Sequence, residues 1–248
     1  MRRSSLAFLL VLAILAPALA RAAEVKVAVA ANFTEPAKEI AARFKARTGD
    51  EAVLSFGSSG QFYAQIANGA PFEVFLSADA ERPQKAEAEG LAVAGSRFTY
   101  ARGRLALWSP TPRRVDAGGR VLASGRFDKL AIADPKLAPY GAAAVETLRG
   151  LGVYDRLKPK LVTGTSVTQA YQFVQSGAAE LGFVALSQIV DDRSGSRWIV
   201  PETRHAPIDQ QAVLLKPGAK DRAARAFLDF LKGSEARAII RRYGYEAP

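Results

Sequence analysis

Residues 24–44, EVKVAVAANFTEPAKEIAARF, contain the pattern that indicates the fold. Residues 24–30 show the alternation of β-branched residues that is typical of a strand. Ala31 and Asn32, one small and one polar, follow it directly. The next apolar residues recur at the spacing of one buried helix face: Phe33, Ala37, Ile40, Ala41 and Phe44. The stretch therefore predicts a strand, a short turn and a helix.

This strand and helix alternation continues along the chain. Further strands are predicted at 52–56, 73–76, 130–133, 160–162, 181–185 and 211–215, and helices at 61–67, 142–148 and 168–175. A further segment begins at 104–108. Two amphipathic helices follow, with apolar residues over 223–231 and 236–243. Strands that alternate with helices predict an α/β fold, in which a mostly parallel sheet is covered on both faces.

The N-terminus has the three-part pattern of a secretory signal peptide. A basic start at residues 1–3 precedes an apolar run over 6–20 and small residues up to Ala22. We expect residues 1–22 to be removed, with cleavage after Ala22 or, alternatively, after Ala20. A retained membrane anchor is the other interpretation, but the apolar run is short for a spanning helix and Pro17 interrupts it.

Charge and composition narrow the function classes. The whole chain has a formal net charge of +10, and without Arg2, Arg3 and Arg21 there remain 31 basic and 24 acidic residues, a net charge of +7. An exported protein seldom meets nucleic acid, so this charge favours the cell envelope or small anions as partners. The absence of Cys excludes a lipid-anchored N-terminal cysteine, so a soluble protein in the periplasm is expected.

The same composition argues against catalysis. The chain has no Cys and a single His, so thiol chemistry and cysteine-ligated metals are excluded and a multi-histidine zinc site is disfavoured. We expect no catalytic residues, no cofactor and no site for a metal cation. The chemistry must come mainly from hydroxyls, amides, carboxylates or the backbone.

The length of the mature chain favours two lobes. About 226 residues exceed the usual size of one doubly wound domain. The predicted lobes comprise 23–102 with 207–248, and 103–206. Strands at 99–104 and near 205–211 are the candidates for the two crossings between them. Such a double crossing makes a hinge, and the cleft should lie at the carboxyl ends of the strands.

Four predicted turns at these strand ends carry small or polar residues. They are Ala30-Ala31-Asn32, Gly57-Ser58-Ser59-Gly60, Pro139-Tyr140-Gly141 and Thr163-Gly164-Thr165-Ser166-Val167. A helix N-terminus offers unpaired N–H groups and a partial positive charge, so several such turns together would form an anion site. Each turn alone is better explained as a helix cap. The first helix begins either after a capping box formed by Asn32 and Glu35 or at Thr34, before Pro36.

At this point the chain resembles the periplasmic molybdate-binding proteins of ABC importers, over essentially its whole mature length. The resemblance rests on four blocks, in this order: VAVAANFTEPAKEIAARFKARTG, SFGSSGQFYAQIANGAPFEVFLSAD, LAIADPKLAPYGAAAVETLRGLGVYDRLKPKLV and FLKGSEARAIIRRYGY. It implies a two-lobed periplasmic binding protein of type II with a hinge of crossing strands. It also implies that neutral donors hold an oxyanion: Asn32, Ser59, Tyr140 and the backbone N–H of Val167, with Ala31 as a further backbone donor.

The chain departs from the family pattern at one pair of positions. Several members have a Tyr directly after the strand that corresponds to LGFV, where this chain has Ala185, and a small residue where it has Tyr140. One hypothesis is that the phenolic donor has moved to the other side of the pocket. The alternative is that Tyr140 only covers the site, which then has one donor fewer.

The resemblance implies that the protein is a monomer that captures molybdate, with tungstate as a second ligand. It also implies that the protein delivers the ion to the membrane subunits of an ABC importer. A binding protein for another tetrahedral oxyanion, such as sulfate, is the nearest alternative. An exported hydrolase of phosphate or sulfate esters with Ser58 or Ser59 as nucleophile is a third, but a base within reach would be needed.

Overall fold

The computed structural model describes residues 22–248. The predicted signal peptide therefore lies outside the described residues, except for Ala22. The strands are β1 (Glu24–Ala30), β2 (Glu51–Gly57), β3 (Val74–Leu76), β4 (Phe98–Gly103), β5 (Leu105–Ser109), β6 (Leu130–Ala133), β7 (Leu161–Gly164), β8 (Leu181–Ala185), β9 (Ser196–Ile199) and β10 (Ile208–Leu214). No helix within residues 22–248 is long and apolar enough to cross a membrane.

The helices follow the strands in alternation. They are α1 (Thr34–Thr48), α2 (Ser59–Ala67), α3 (Glu81–Ala88), α4 (Arg120–Ser124), α5 (Pro139–Gly150), α6 (Tyr154–Leu157), α7 (Val167–Gln175), α8 (Arg222–Lys232) and α9 (Ser234–Arg242). A short 3-10 turn, Ala31–Phe33, joins β1 to α1. Of the two starts predicted for the first helix, the structure has the one at Thr34.

The strands form two sheets with the same plan. Sheet I has the order β2-β1-β3-β10-β4 and sheet II the order β7-β6-β8-β5-β9. In sheet I, β1 is parallel to β2 and β3, while β10 is antiparallel to β3 and β4. In sheet II, β6 is parallel to β7 and β8, while β5 is antiparallel to β8 and β9. One strand of each sheet thus runs against its neighbours, and the predicted mostly parallel arrangement holds for the others.

The chain crosses between the sheets twice. It leaves sheet I at Arg104, between β4 and β5, and returns over residues 200–207, between β9 and β10. The strand predicted at 211–215 begins earlier in the structure, at Ile208. The sequence pattern missed this start because Asp209 and Gln210 are polar, although both residues pair with β4. We propose that the two lobes divide near these crossings, as 23–102 with 207–248, and 103–206.

The core of sheet I holds the turn after β1 in place. Phe33 is fully buried, and its ring packs edge-on against Tyr100 and Tyr245, with ring centroids 4.9 and 5.4 Å apart. Edge-to-face pairs of this kind add to the stabilisation from buried area. Phe33 therefore anchors the backbone of Ala31 and Asn32 at the carboxyl end of β1.

Candidate functional site

All five residues predicted to bind the ligand line one small cavity between the two sheets. The cavity volume is about 10 Å³, roughly the space that one water molecule needs. The lining residues are Ala30, Ala31, Asn32, Ser58, Ser59, Ala78, Ala138, Pro139, Tyr140, Ser166 and Val167. They follow the carboxyl ends of strands from both sheets, where a cleft was expected.

Four helical segments begin at this cavity. Ala31 is the first residue of the 3-10 turn, Ser59 the first of α2, and Val167 the first of α7. Tyr140 is the second residue of α5, directly after Pro139. The first backbone N–H groups of a helix have no acceptor within that helix, and they carry its partial positive charge. The cavity therefore has donors and a positive potential without a cationic side chain.

The two serines after β2 have different roles. The Ser58 hydroxyl accepts the Gln61 backbone N–H at 3.4 Å, and the Ser58 backbone N–H donates to Oε1 of Gln61 at 3.2 Å, which completes a capping box at the start of α2. The Ser58 hydroxyl also donates to the same Oε1 at 2.9 Å. The Ser59 hydroxyl oxygen accepts the backbone N–H of Ala78 at 2.9 Å. Because that bond occupies the oxygen as an acceptor, the Ser59 proton is left to donate into the cavity.

Asn32 uses its side chain away from the cavity. Its Nδ2 donates to Oε1 of Gln210 at 2.9 Å and to the Tyr245 hydroxyl at 3.0 Å. Both amide protons are thereby engaged, since the amide group carries two donors. Asn32 can therefore donate to a ligand from its backbone N–H, but not from its side-chain amide.

The Tyr140 hydroxyl belongs to the buried hydrogen-bond network that Asn32 forms with Gln210 and Tyr245. It accepts a hydrogen bond from Nε2 of Gln210 at 3.3 Å. A Cβ at Gly103 would collide with it, so glycine is needed where β4 leaves sheet I. Burial raises the pKa of Tyr140 well above its ordinary value of 10, so the hydroxyl stays neutral.

Replacement of Tyr140 by phenylalanine separates the two hypotheses about its hydroxyl. If the hydroxyl serves the buried network, Tyr140→Phe should lower the free energy of unfolding by about 1–3 kcal/mol, because Gln210 loses a buried acceptor. Molybdate affinity should then stay within about threefold of the parent. Thermal unfolding and calorimetric titration measure both quantities. A tenfold loss of affinity with unchanged stability would instead favour a phenolic donor that has moved to this side of the pocket.

The buried network contains functional candidates that the sequence did not reveal. Gln210 Oε1 also accepts the Tyr100 hydroxyl at 3.0 Å, and Tyr245 donates to the Asn32 carbonyl at 2.6 Å. Burial raises the pKa of Tyr245 to about 12. Ser166, the N-cap of α7, also lines the cavity but was not among the five residues predicted to bind the ligand. Its position in the TGTSV turn, at the start of a helix, is the signal that could have identified it.

The cavity itself is electrically neutral. Among the described residues that line it, none has a charged side chain. Asp79, which directly follows the lining residue Ala78, forms an ion pair with Arg82. Arg82 also donates from Nη2 to the Lys136 carbonyl at 3.0 Å. The site therefore offers neutral donors, and the charged side chains of this region lie outside its lining.

The chain is similar to known extracellular binding proteins over almost all of its described length. Residues 25–246 match the model of the family described as bacterial extracellular solute-binding protein. The molybdate-binding protein ModA of Rhodobacter capsulatus is 58% identical over 245 residues, which cover 99% of this chain and 96% of that protein. ModA of Azotobacter vinelandii is 56% identical over 229 residues, which cover 91% of each.

A solved structure shows the same fold. The periplasmic molybdate-binding protein of Azotobacter vinelandii superimposes with a TM-score of 0.87 at 45% identity, over 90% of this chain and 99% of that one. This match confirms the predicted two-lobed α/β fold of a periplasmic binding protein. The matched family model and the two relatives together show that the chain belongs to the family of bacterial extracellular solute-binding proteins.

Proposed function

We propose that this protein captures molybdate, and also tungstate, in the periplasm and delivers it to the membrane subunits of an ABC importer. The observation that carries the proposal is the small neutral cavity at the start of four helical segments. The donors that we assign to the ligand are the hydroxyl of Ser59 and the backbone N–H groups of Asn32, Ser59, Tyr140 and Val167. The backbone N–H of Ala31 is a further candidate.

A pocket that offers only donors suits a fully deprotonated oxyanion. Molybdate and tungstate are tetrahedral dianions that present only acceptors, so each oxygen can be satisfied there. Phosphate keeps a proton near neutral pH, and its O–H would need an acceptor that the proposed donor set does not supply. Sulfate is also a bare dianion, so only its smaller size can distinguish it, through longer and weaker hydrogen bonds.

Titration calorimetry of the mature protein with molybdate, tungstate, sulfate and phosphate tests the proposed function. We expect molybdate and tungstate to bind at least about tenfold more tightly than sulfate, which is the scale on which pockets distinguish ligands of slightly different size. Phosphate should produce no binding heat. Equal or tighter binding of sulfate would contradict the molybdate assignment and favour the alternative oxyanion.

The relatives are binding proteins by name, and we propose that this chain is one as well rather than an ester hydrolase. A serine nucleophile needs a base that accepts its proton. Ser58 donates to the amide oxygen of Gln61, and Ser59 has the Ala78 N–H as its neighbour. Neither group is a base, and His205 is not among the residues that line the cavity.

The remaining assignments follow from the same proposal. The signal peptide predicted at residues 1–22 would direct the chain across the inner membrane. We propose that it acts there as a monomer and without a cofactor, with the oxyanion as its ligand and the importer's membrane subunits as its protein partner.

A further inference from the structure

Two hydroxyls of the sheet II half donate to backbone carbonyls of the sheet I half, beside the cavity. Thr168 Oγ1 donates to the Ala31 carbonyl at 3.1 Å. Ser187 Oγ donates to the Asn32 carbonyl at 2.9 Å. We call Thr168 and Ser187 the closure pair. On the other side of the cavity, the Gly60 N–H donates to the Leu137 carbonyl at 2.9 Å, so the halves meet on both sides.

The closure pair does not line the cavity itself. Both residues line a separate, wider cleft, on the far side of the 3-10 turn Ala31–Phe33. If replacement of these two residues changes the ligand affinity, the effect must therefore be transmitted by the backbone of the turn and by the contact between the halves. This separation distinguishes them from the residues that we assign as donors to the ligand.

The peptide geometry connects the two sides of the turn. The carbonyl of Ala31 and the N–H of Asn32 belong to one trans peptide group, in which they point in opposite directions. Thr168 donates to this carbonyl from behind, while the N–H of Asn32 is assigned to the ligand. A hydrogen bond to the carbonyl polarises the peptide group and strengthens its N–H as a donor. Ser187 places a second donor on the next carbonyl, that of Asn32.

The closure pair is also specific to the closed arrangement. The Ala31 carbonyl keeps a partner within its own half when the lobes part, because Thr34 Oγ1 donates to it at 2.8 Å. The Asn32 carbonyl likewise keeps the Tyr245 hydroxyl. Thr168 and Ser187 lie on the other half, so an opening of the cleft would separate both hydroxyls from these carbonyls. Removal of the hydroxyls should therefore affect mainly the closed state. Within a single half it costs only the bond that Gln188 Nε2 donates to Thr168 Oγ1 at 3.3 Å.

We propose that Thr168 and Ser187 are positioning residues that hold the lobes closed around the ligand and slow its release. They bind the peptide groups behind the ligand rather than the ligand itself. This inference rests on the proposed function, because it concerns the retention of the same oxyanion.

The test uses one double variant that carries both Thr168→Val and Ser187→Ala, and compares it with the parent protein. Each lost hydroxyl bond should weaken molybdate binding by roughly 2- to 12-fold, so the double variant should bind about 30-fold more weakly. The loss should come from faster dissociation, measured by displacement with excess tungstate. The unfolding temperature of the ligand-free protein should be nearly unchanged. Thr168→Ser, which keeps the hydroxyl, should release molybdate like the parent.

Small-angle X-ray scattering gives a second measurement. Molybdate should compact the parent, and a larger share of the double variant should stay open at the same subsaturating ligand concentration. If the parent fails to bind molybdate, the proposed function is wrong. If the parent binds molybdate and the double variant has an affinity and a release rate within twofold of it, the closure pair has no such role.

Discussion

Replacement of Val167 by proline is expected to weaken molybdate binding by about 10- to 150-fold without unfolding the protein. Proline has no backbone N–H, and a hydrogen bond to a charged ligand contributes roughly 1.5–3 kcal/mol. Val167 is the first residue of α7, where proline is well tolerated. Ser166 before it is extended, with φ −146° and ψ 166°, as the residue before a proline should be. Titration calorimetry measures the loss.

The matched control is Val167→Ala, which keeps the N–H. Both variants remove the buried valine side chain, and alanine at this site should lower stability by about 1–2 kcal/mol. The difference in affinity between the proline and the alanine variants therefore isolates the backbone donor. If the two variants bind molybdate equally, the N–H of Val167 does not contact the ligand.

Replacement of Ser59 by alanine is expected to weaken molybdate binding by about 10- to 100-fold. The Ser59 hydroxyl is buried and has the Ala78 N–H as its donor, so its own proton is free for the oxyanion. The loss should appear in titrations with tungstate as well, because the same donor serves both ions. A loss below twofold would remove the Ser59 hydroxyl from the ligand contacts.

Ser58→Ala serves as the neighbouring control, with the opposite expected pattern. Ser58 is the N-cap of α2, and loss of an N-cap costs about 0.5–2 kcal/mol of stability. Its hydroxyl proton already goes to Gln61, so molybdate affinity should change little. A drop in unfolding temperature for Ser58→Ala and a drop in affinity for Ser59→Ala would together separate the cap from the ligand donor.

The local parts of the fold could be predicted from the sequence. Hydrophobic periodicity placed α1 and α7 within one residue of their observed starts, because amphipathic helices with polar turns before them have a clear local signal. The four turns that line the cavity could be predicted for the same reason, whereas the individual ligand residues within them were implied by the resemblance to a known family. Turns that follow parallel strands lie at the carboxyl edge of their sheet, and the cleft between two such sheets brings the turns of both together.

The buried network could not be predicted, because its partners are far apart in the sequence. Asn32 and Gln210 are 178 residues apart, and Asn32 and Tyr245 are 213 apart. Nothing in the local pattern around Asn32 distinguishes an amide that caps a helix from one that binds a distant strand. The start of β10 was placed too late for the same reason, since Gln210 is polar and yet fully buried by this network.

The position of β10 in sheet I also has a consequence for how the chain folds. β10 lies between β3 and β4, although it follows them by more than 100 residues. Sheet II, in contrast, is formed by one continuous segment, residues 105–199. A chain that emerges N-terminus first can therefore complete sheet II while sheet I still has two unpaired inner edges. Those edges stay exposed to other chains until residues 208–214 arrive, so early pairing of β10 should limit aggregation.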